Sequence, residues 1–121
     1  MRHNAQFFLY YNFCMKQSCT AEDIKYFVPD NVATGKIADF FSLFSDNTRL
    51  RLLCALSISK LCVTDLADLL NLNQTTVSHQ LRILKGAKAV SCERDGKMLY
   101  YKLENTKIND ILLIGVEFLG Y

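Results

Sequence analysis

The sequence predicts a mainly helical fold that carries one small β-hairpin near its C-terminal end. Apolar residues recur at helical spacing through residues 36–87, and the spacing changes to alternation on both sides of Asp95-Gly96. A final apolar stretch at 106–119 again has the length of a helix. The 121 residues include one Pro and five Gly, and so few helix breakers favour helices over a fold with many turns.

Residues 1–35 are predicted to form a partly ordered N-terminal arm in front of a domain that spans residues 36–121. The arm has no clear period, although a short helix near 20–27 is compatible with it, and Pro29 marks a loop. Its apolar run at 7–11 is too short for an export signal, and no stretch reaches the roughly 18 apolar residues of a membrane span. Met15 is an alternative start, which would remove Cys14.

The cysteines indicate a reducing compartment. Five cysteines at irregular spacings do not form the even set that a secreted disulfide framework needs. We therefore expect reduced thiols in a cytoplasmic protein, some of them available to a metal.

The first two helices of the domain are each predicted to have an apolar face. In the first, from residue 36, four residues fall at i, i+3, i+4 and i+7, namely Ile37, Phe40, Phe41 and Phe44. Asp46 then follows as a good N-cap for the second helix. Leu50, Leu53 and Cys54 share a side of that second helix, so Cys54 is expected in the core.

A tight corner separates the third and fourth predicted helices. The third is short, at 64–70, and Asp65 in its first turn suits the helix dipole. Three leucines are expected to turn inward from it: Leu66, Leu69 and Leu70. The corner follows at 71–73, where Asn73 is placed to cap a fourth helix at 74–87.

The fourth helix has two different faces. Val77, Leu81 and Leu84 form an apolar edge. Four hydrogen-bonding side chains recur at i, i+3, i+4 and i+7 on another side: Thr75, Ser78, His79 and Arg82. One face is therefore predicted to be buried and the other exposed.

The chain then changes from helix to strand. Residues 89–94 and 97–103 read as strands, and Asp95-Gly96 between them predicts a two-residue turn with positive φ at both central positions. The last helix, 106–119, is apolar on nearly every side, so a partner is expected to cover it.

Two helices joined by a three-residue corner and followed by a hairpin form a winged helix-turn-helix, whose second helix enters the major groove of DNA. Gln80 is expected to pair bidentately with adenine, and Arg82 to pair with guanine or phosphate. Arg94 and Lys97 flank the hairpin turn and suit backbone or minor-groove contact. Polar groups at the start of the helix suit phosphates. The predicted DNA-binding set is Gln74, Thr75, Thr76, Ser78, His79, Gln80, Arg82, Arg94 and Lys97.

Composition alone does not indicate nucleic-acid binding. The formal net charge is only +2, so the prediction depends on where the basic residues lie. The sequence has no Gly-rich phosphate loop, no G-x-S-x-G and no H-E-x-x-H. It therefore predicts a protein that is not an enzyme.

Several blocks of the sequence resemble the ArsR/SmtB family of metal-responsive repressors. They are L-C-V-T-D-L-A at 61–67, T-V-S-H-Q-L-R-I-L at 76–84, D-G-K at 95–97 and Y-Y at 100–101. The resemblance spans residues 37–119. It implies a homodimer that binds operator DNA and releases it when an inducer binds, with the first and last helices of the domain at the dimer interface.

The resemblance also implies a metal site. Cys62 falls on a ligand position of the family, Asp65 matches a carboxylate that some zinc-binding members use, and Cys14 and Cys19 in the arm would complete the set. Thiolates suit thiophilic ions. Thr64 stands where cadmium and arsenic sensors often have a second cysteine. The expected inducer is therefore Cd(II), Pb(II) or Zn(II) in preference to trivalent arsenic.

Two alternatives remain open. A thiol-redox sensor of the same fold would join two cysteines on oxidation, with Cys14, Cys19 and Cys62 as candidates. A winged-helix module that binds another protein, and not DNA, would use the polar face of residues 75–82 for that contact.

Overall fold

The computed structural model describes residues 20–121, which separate into two units, 20–38 and 39–121. The first helix of the described residues begins at a capping side chain. α1 (Ala21–Phe27) starts at a capping box, because the Thr20 hydroxyl accepts from the Asp23 N–H and the Asp23 carboxylate accepts from the Thr20 N–H. The hydrogen bonds with Thr20 lower the pKa of Asp23.

α2 (Asn31–Ser42) begins five residues earlier than the apolar pattern predicts. The Asp30 carboxylate accepts from the Ala33 N–H at 2.8 Å, which is the geometry of an N-cap. Residues 31–35 carry no apolar period, so the predicted start near residue 36 was wrong. The capping carboxylate and not the apolar spacing sets where this helix starts.

Four further helices and two strands follow. They are α3 (Asn47–Ile58), α4 (Val63–Leu70), α5 (Gln74–Gly86), β1 (Val90–Asp95), β2 (Met98–Leu103) and α6 (Thr106–Leu119). The largest fully buried side chains of unit 39–121 are contributed by α3, α4, α5 and β1, namely Leu52, Leu53, Leu66, Val77, Leu81, Leu84 and Val90. The helical and hairpin elements therefore share one apolar core, as the predicted fold class requires.

Two side chains that were predicted to be buried are exposed. Cys54 lies on the solvent side of α3, because Leu52, Leu53, Ala55 and Leu56 fill the buried side of that helix. Leu69 on α4 is 64% exposed. Both helices have apolar residues on more than one side, so spacing alone did not select the buried one.

The hairpin is antiparallel, and its register places Val90 opposite Leu103 and Asp95 opposite Met98. The two-residue turn is therefore Gly96-Lys97, one residue later than predicted. Gly96 has a φ of 61°, and it is the one turn residue with a positive φ. Asp95 is the last paired residue of β1, so the expectation of positive φ at both Asp95 and Gly96 was wrong.

The hairpin is tied to the segment that precedes α4. The Leu61 N–H donates to the Tyr101 carbonyl at 3.1 Å, and the Tyr101 N–H donates to the Leu61 carbonyl at 2.8 Å. This bridge adds one residue to the edge of β2 and fixes the hairpin beside the helix-turn-helix.

Over residues 20–121, no helix has the length and apolar character to cross a membrane.

Candidate nucleic-acid interface

The corner between α4 and α5 is built from two asparagines. Asn71 ends α4 in the left-handed conformation, with a φ of 54°, which Asn tolerates better than most residues. The Leu72 N–H then donates to the Ala67 carbonyl at 2.9 Å. The Asn73 side chain accepts from the Thr76 N–H at 2.7 Å and starts α5. This predicted corner and cap are confirmed.

α5 has the two faces that its sequence predicts. Val77, Leu81 and Leu84 are fully buried. On the opposite side Thr75, His79 and Arg82 are exposed, and Ser78 is half-buried at the edge. At the start of the helix Gln74 is exposed and Thr76 is half-buried. The helix therefore presents a row of donors, acceptors and one cation to solvent.

No Asp or Glu lies in α5 or close to it in the sequence. The sequence has no Asp or Glu between Asp68 and Glu93, whereas Arg82, Lys85 and Lys88 lie within that stretch. All three basic residues are exposed. A local excess of positive charge at an exposed helix suits a polyanion, even though the net charge of the whole chain is small.

Gln80 does not lie on the open part of that face. It is half-buried, and its Oε1 accepts from the Arg49 Nη1 at 3.4 Å. Arg49 is on α3, 31 residues earlier in the chain, so no local pattern could reveal the contact. Arg49 was therefore not predicted from the sequence as a neighbour of α5.

The hairpin separates paired from unpaired cations. Lys60 and Lys102 both bond Glu93, at 3.2 and 3.4 Å, and these hydrogen bonds and charges lower the pKa of Glu93. Arg94 and Lys97 near the turn are exposed, and within the described chain neither has a carboxylate in ion-pair range. The two cations at the hairpin tip thus remain available to phosphates.

Tyr101 is a half-buried residue of β2 in the hairpin. It is the cross-strand partner of Cys92. Burial and the Cys92 thiol raise the pKa of the Tyr101 hydroxyl, and the positive charge of Arg82 opposes that rise. The charge of Arg82 on α5 is therefore near enough to act on the Tyr101 hydroxyl of the hairpin.

Only part of the predicted metal set can be located. Cys62 is 4% exposed, and as the N-cap of α4 its Sγ accepts from the Asp65 N–H at 3.5 Å. Asp65 itself is exposed. Cys14 and Cys19 lie outside the described residues. Residues 20–121 hold no group of three or more His, Cys, Asp or Glu side chains placed for a metal, so a metal site at Cys62 would need ligands from outside these residues of one chain.

α6 carries an exposed apolar surface, which we call the α6 apolar face. Only Ile108 and Leu112 of this helix are buried. The name covers the exposed large apolar side chains of this helix, which occupy more than one of its sides: Leu113, Ile114, Val116, Phe118 and Leu119. The predicted bounds of the helix are confirmed, and its exposure agrees with the expectation that something must cover it.

Comparisons with known proteins agree with this geometry. The family model described as "Bacterial regulatory protein, arsR family" matches residues 46–91. The cadmium resistance transcriptional regulatory protein CadC of Listeria innocua is 37% identical over 89 residues, which cover 73% of this chain and 75% of that protein. The transcriptional repressor SmtB homolog of Synechocystis is 41% identical over 76 residues, covering 63% of this chain and 58% of that protein.

A solved structure extends the agreement to the backbone. The crystal structure of the AntR antimony-specific transcriptional repressor is 31% identical, with a TM-score of 0.67, and covers 74% of this chain and 82% of that one. These relatives are regulators of transcription and not enzymes. With its winged helix-turn-helix and its similarity to CadC, the chain belongs to the ArsR/SmtB family of transcriptional regulators.

Proposed function

We propose that the protein is a cytoplasmic repressor that binds operator DNA as a homodimer and releases it when a thiophilic metal ion binds. The observation that carries the DNA-binding part is the outward row of α5. Thr75, His79 and Arg82 are exposed on the side opposite three fully buried apolar residues. Ile83 is the one large apolar side chain that α5 leaves exposed, and the free polar groups of the helix match base edges and phosphates.

The proposed docking places α5 in the major groove. Arg82 would bond guanine or a phosphate, and His79 and Ser78 would contact neighbouring base edges or phosphates. Gln74, Thr75 and Thr76 lie in the first turn of α5, where side chains and backbone N–H groups suit phosphate oxygens. Arg94 and Lys97 would reach the flanking backbone from the hairpin.

The DNA-binding proposal is tested by titration with promoter DNA. Binding should weaken steeply as salt rises, because each phosphate contact releases counterions. Arg82→Ala should cost about 1–3 kcal/mol of binding free energy, if it makes one good base contact. Lys107→Ala, which removes an exposed cation from the start of α6, is the matched control and should change little. An Arg82→Ala protein that binds like the wild type would favour a protein-binding module.

The metal-binding part of the proposal assigns Cys62, Asp65, Cys14 and Cys19 as ligands. Cys62 and Asp65 lie in the same turn at the start of α4, where the Asp65 N–H already bonds the Cys62 sulfur. The arm, residues 1–35, would supply the other two thiolates. Cd(II), Pb(II) and Zn(II) bind such sulfur-rich sets. When bound, the ion would draw the arm to the N-terminus of α4, the first helix of the helix-turn-helix.

Cys62→Ser tests the metal site without removing the helix cap. Serine is a preferred N-cap, so residue 62 should still cap α4 and the metal-free protein should still bind DNA. The thiolate-to-metal absorption on addition of Cd(II) should be lost, and so should the release of DNA. Cys54→Ser removes an exposed thiol from α3 and should leave both responses intact. Release of DNA by Cys62→Ser on addition of Cd(II) would show that the assigned site is wrong.

The homodimer is proposed to form through the first and last helices of the domain, α2 and α6. α6 contributes its apolar face, and α2 also carries exposed apolar side chains, among them Ile37, Phe40 and Phe41. Burying such residues against a second copy removes apolar surface from water. A dimer would place two copies of α5 on the two halves of an operator palindrome.

A further inference from the structure

Arg49 connects three segments of unit 39–121. Its Nη2 donates to the Ser42 carbonyl at 3.3 Å, its Nε donates to the Leu43 carbonyl at 3.4 Å, and its Nη1 donates to the Gln80 Oε1 at 3.4 Å. Ser42 ends α2, and Leu43 follows it in the connection to α3. The guanidinium therefore occupies a fixed place between the end of α2 and the DNA-reading helix.

The chemistry of the two side chains fixes which end of the Gln80 amide faces Arg49. A guanidinium has only donors, whereas an amide has an acceptor oxygen and a donor amino group. The oxygen must therefore face Arg49, and the Gln80 amino group points away from it. Within residues 20–121, no hydrogen bond is made by that amino group.

We propose that Arg49 is a positioning residue that determines base specificity, because it holds the Gln80 amide with its amino group toward the operator. This inference rests on the proposed DNA binding by α5. A fixed outward donor pairs with acceptors in the major groove, which are the N7 of either purine, the O6 of guanine and the O4 of thymine. Cytosine offers only a donor at its N4, so it is the base that this arrangement rejects.

Without Arg49 the amide is free to turn over. A Gln80 side chain that can present either end can accept from the cytosine N4 as readily as it donates to an acceptor base. The structure therefore predicts that loss of Arg49 relaxes the preference at a single position of the operator. Loss of a phosphate contact would have a different effect. It weakens binding to all sequences alike, and it lowers the slope of log affinity against log salt concentration by about one.

The test is selection of binding sequences from a random DNA duplex pool by the full chain and its variants. The position that Gln80 reads is the one at which Gln80→Ala loses its preference. There the wild type should disfavour cytosine by roughly 5- to 150-fold, which corresponds to one good base contact. Arg49→Met should remove most of that discrimination and leave the other positions unchanged.

Arg51→Met is the matched control. Arg51 is also on α3 and also bonds a backbone carbonyl, that of Leu70 at 2.9 Å, but it does not contact Gln80. The Arg51→Met substitution removes the same charge from the same helix as Arg49→Met, and it should leave the base preference at the Gln80 position intact. In the Gln80→Ala background, Arg49→Met should change no position further, because the proposed effect acts through Gln80.

Gln80→Glu provides a second variant that keeps Arg49 and its contacts with the end of α2. A carboxylate presents only acceptors, so the preference at this position should move toward cytosine. The inference is overturned if either Arg49→Met or Gln80→Glu leaves the base preference at the Gln80 position unchanged. It is also overturned if the wild type selects cytosine at that position, or if Gln80→Ala alters the preference at no position of the operator. A wild-type protein that selects no sequence overturns the proposed function as well, whereas the other outcomes overturn the role of Arg49 alone.

Discussion

α5 and α6 have nearly the same length, 13 and 14 residues, but they expose opposite kinds of side chain. α5 buries Val77, Leu81 and Leu84 and exposes hydrogen-bonding groups and two cations, Arg82 and Lys85. α6 buries only Ile108 and Leu112 and leaves the α6 apolar face open. Both helices begin at an asparagine cap, so the difference between them lies in their faces and not in their ends.

This comparison separates two kinds of binding surface on one small domain. A helix whose apolar face is completely buried gains nothing from an apolar partner, and its free donors suit a polar polymer such as DNA. A helix whose apolar face is open gains by burying it, at about 25 cal/mol per Å² of apolar surface. The difference supports the proposed DNA contact of α5 and the proposed self-association through α6.

Leu81→Ala should cause the largest loss of stability among the changes considered for these two helices. Leu81 is fully buried in the shared core, and truncating a buried leucine costs about 2–5 kcal/mol of unfolding free energy. Thr75→Ala, on the exposed face of the same helix, should stay within about 0.5 kcal/mol. Urea denaturation of both variants measures the difference. Equal destabilisation would mean that the two faces of α5 are not distinct.

Ile114→Glu should weaken self-association while leaving the protomer folded. Ile114 is 65% exposed on the α6 apolar face. Losing the burial of one such side chain costs about 1.5–3 kcal/mol, or roughly 10- to 100-fold in the dimer dissociation constant. Sedimentation at several concentrations measures this change. Leu69→Glu is the control, because Leu69 is equally exposed but lies on α4. A dimer that Leu69→Glu disrupts and Ile114→Glu spares would place the interface on another surface.

Local signals in the sequence were sufficient for much of this architecture. The bounds of α6, the cap at Asn73 and the two faces of α5 were predicted from neighbouring residues and are confirmed. Each of these features depends on side chains within one or two turns of each other. The exposed row of α5, on which the proposed DNA contact depends, belongs to this class.

Features that depend on competition between elements were not predicted. Cys54 was assigned to the core because it shares a side of α3 with Leu50 and Leu53, and only packing against the other helices shows which side is buried. The hairpin turn lies one residue later than predicted because Asp95 pairs with Met98. The contact between Arg49 and Gln80 joins separate helices. Cys14 and Cys19, the proposed metal ligands of the arm, lie outside the described residues and stay a prediction.

The two asparagine caps offer the smallest expected effect and the finest test of the comparison. Asn73 accepts from the Thr76 N–H at 2.7 Å, and Asn105 accepts from the Lys107 N–H at 2.8 Å. Replacing either by Ala should cost about 1 kcal/mol of unfolding free energy, since one hydrogen bond at a helix start is lost. Thermal denaturation over a range of protein concentrations measures both.

If α6 is stabilised by a second copy, higher concentration should raise the melting temperature of both variants, because only the folded state dimerises. Introducing Ile114→Glu should remove that concentration dependence and leave the cost of the Asn73 substitution unchanged. A melting temperature that never varied with concentration would instead mean that α6 is stable without a partner, and the contrast with α5 would then reflect composition and not a second interface.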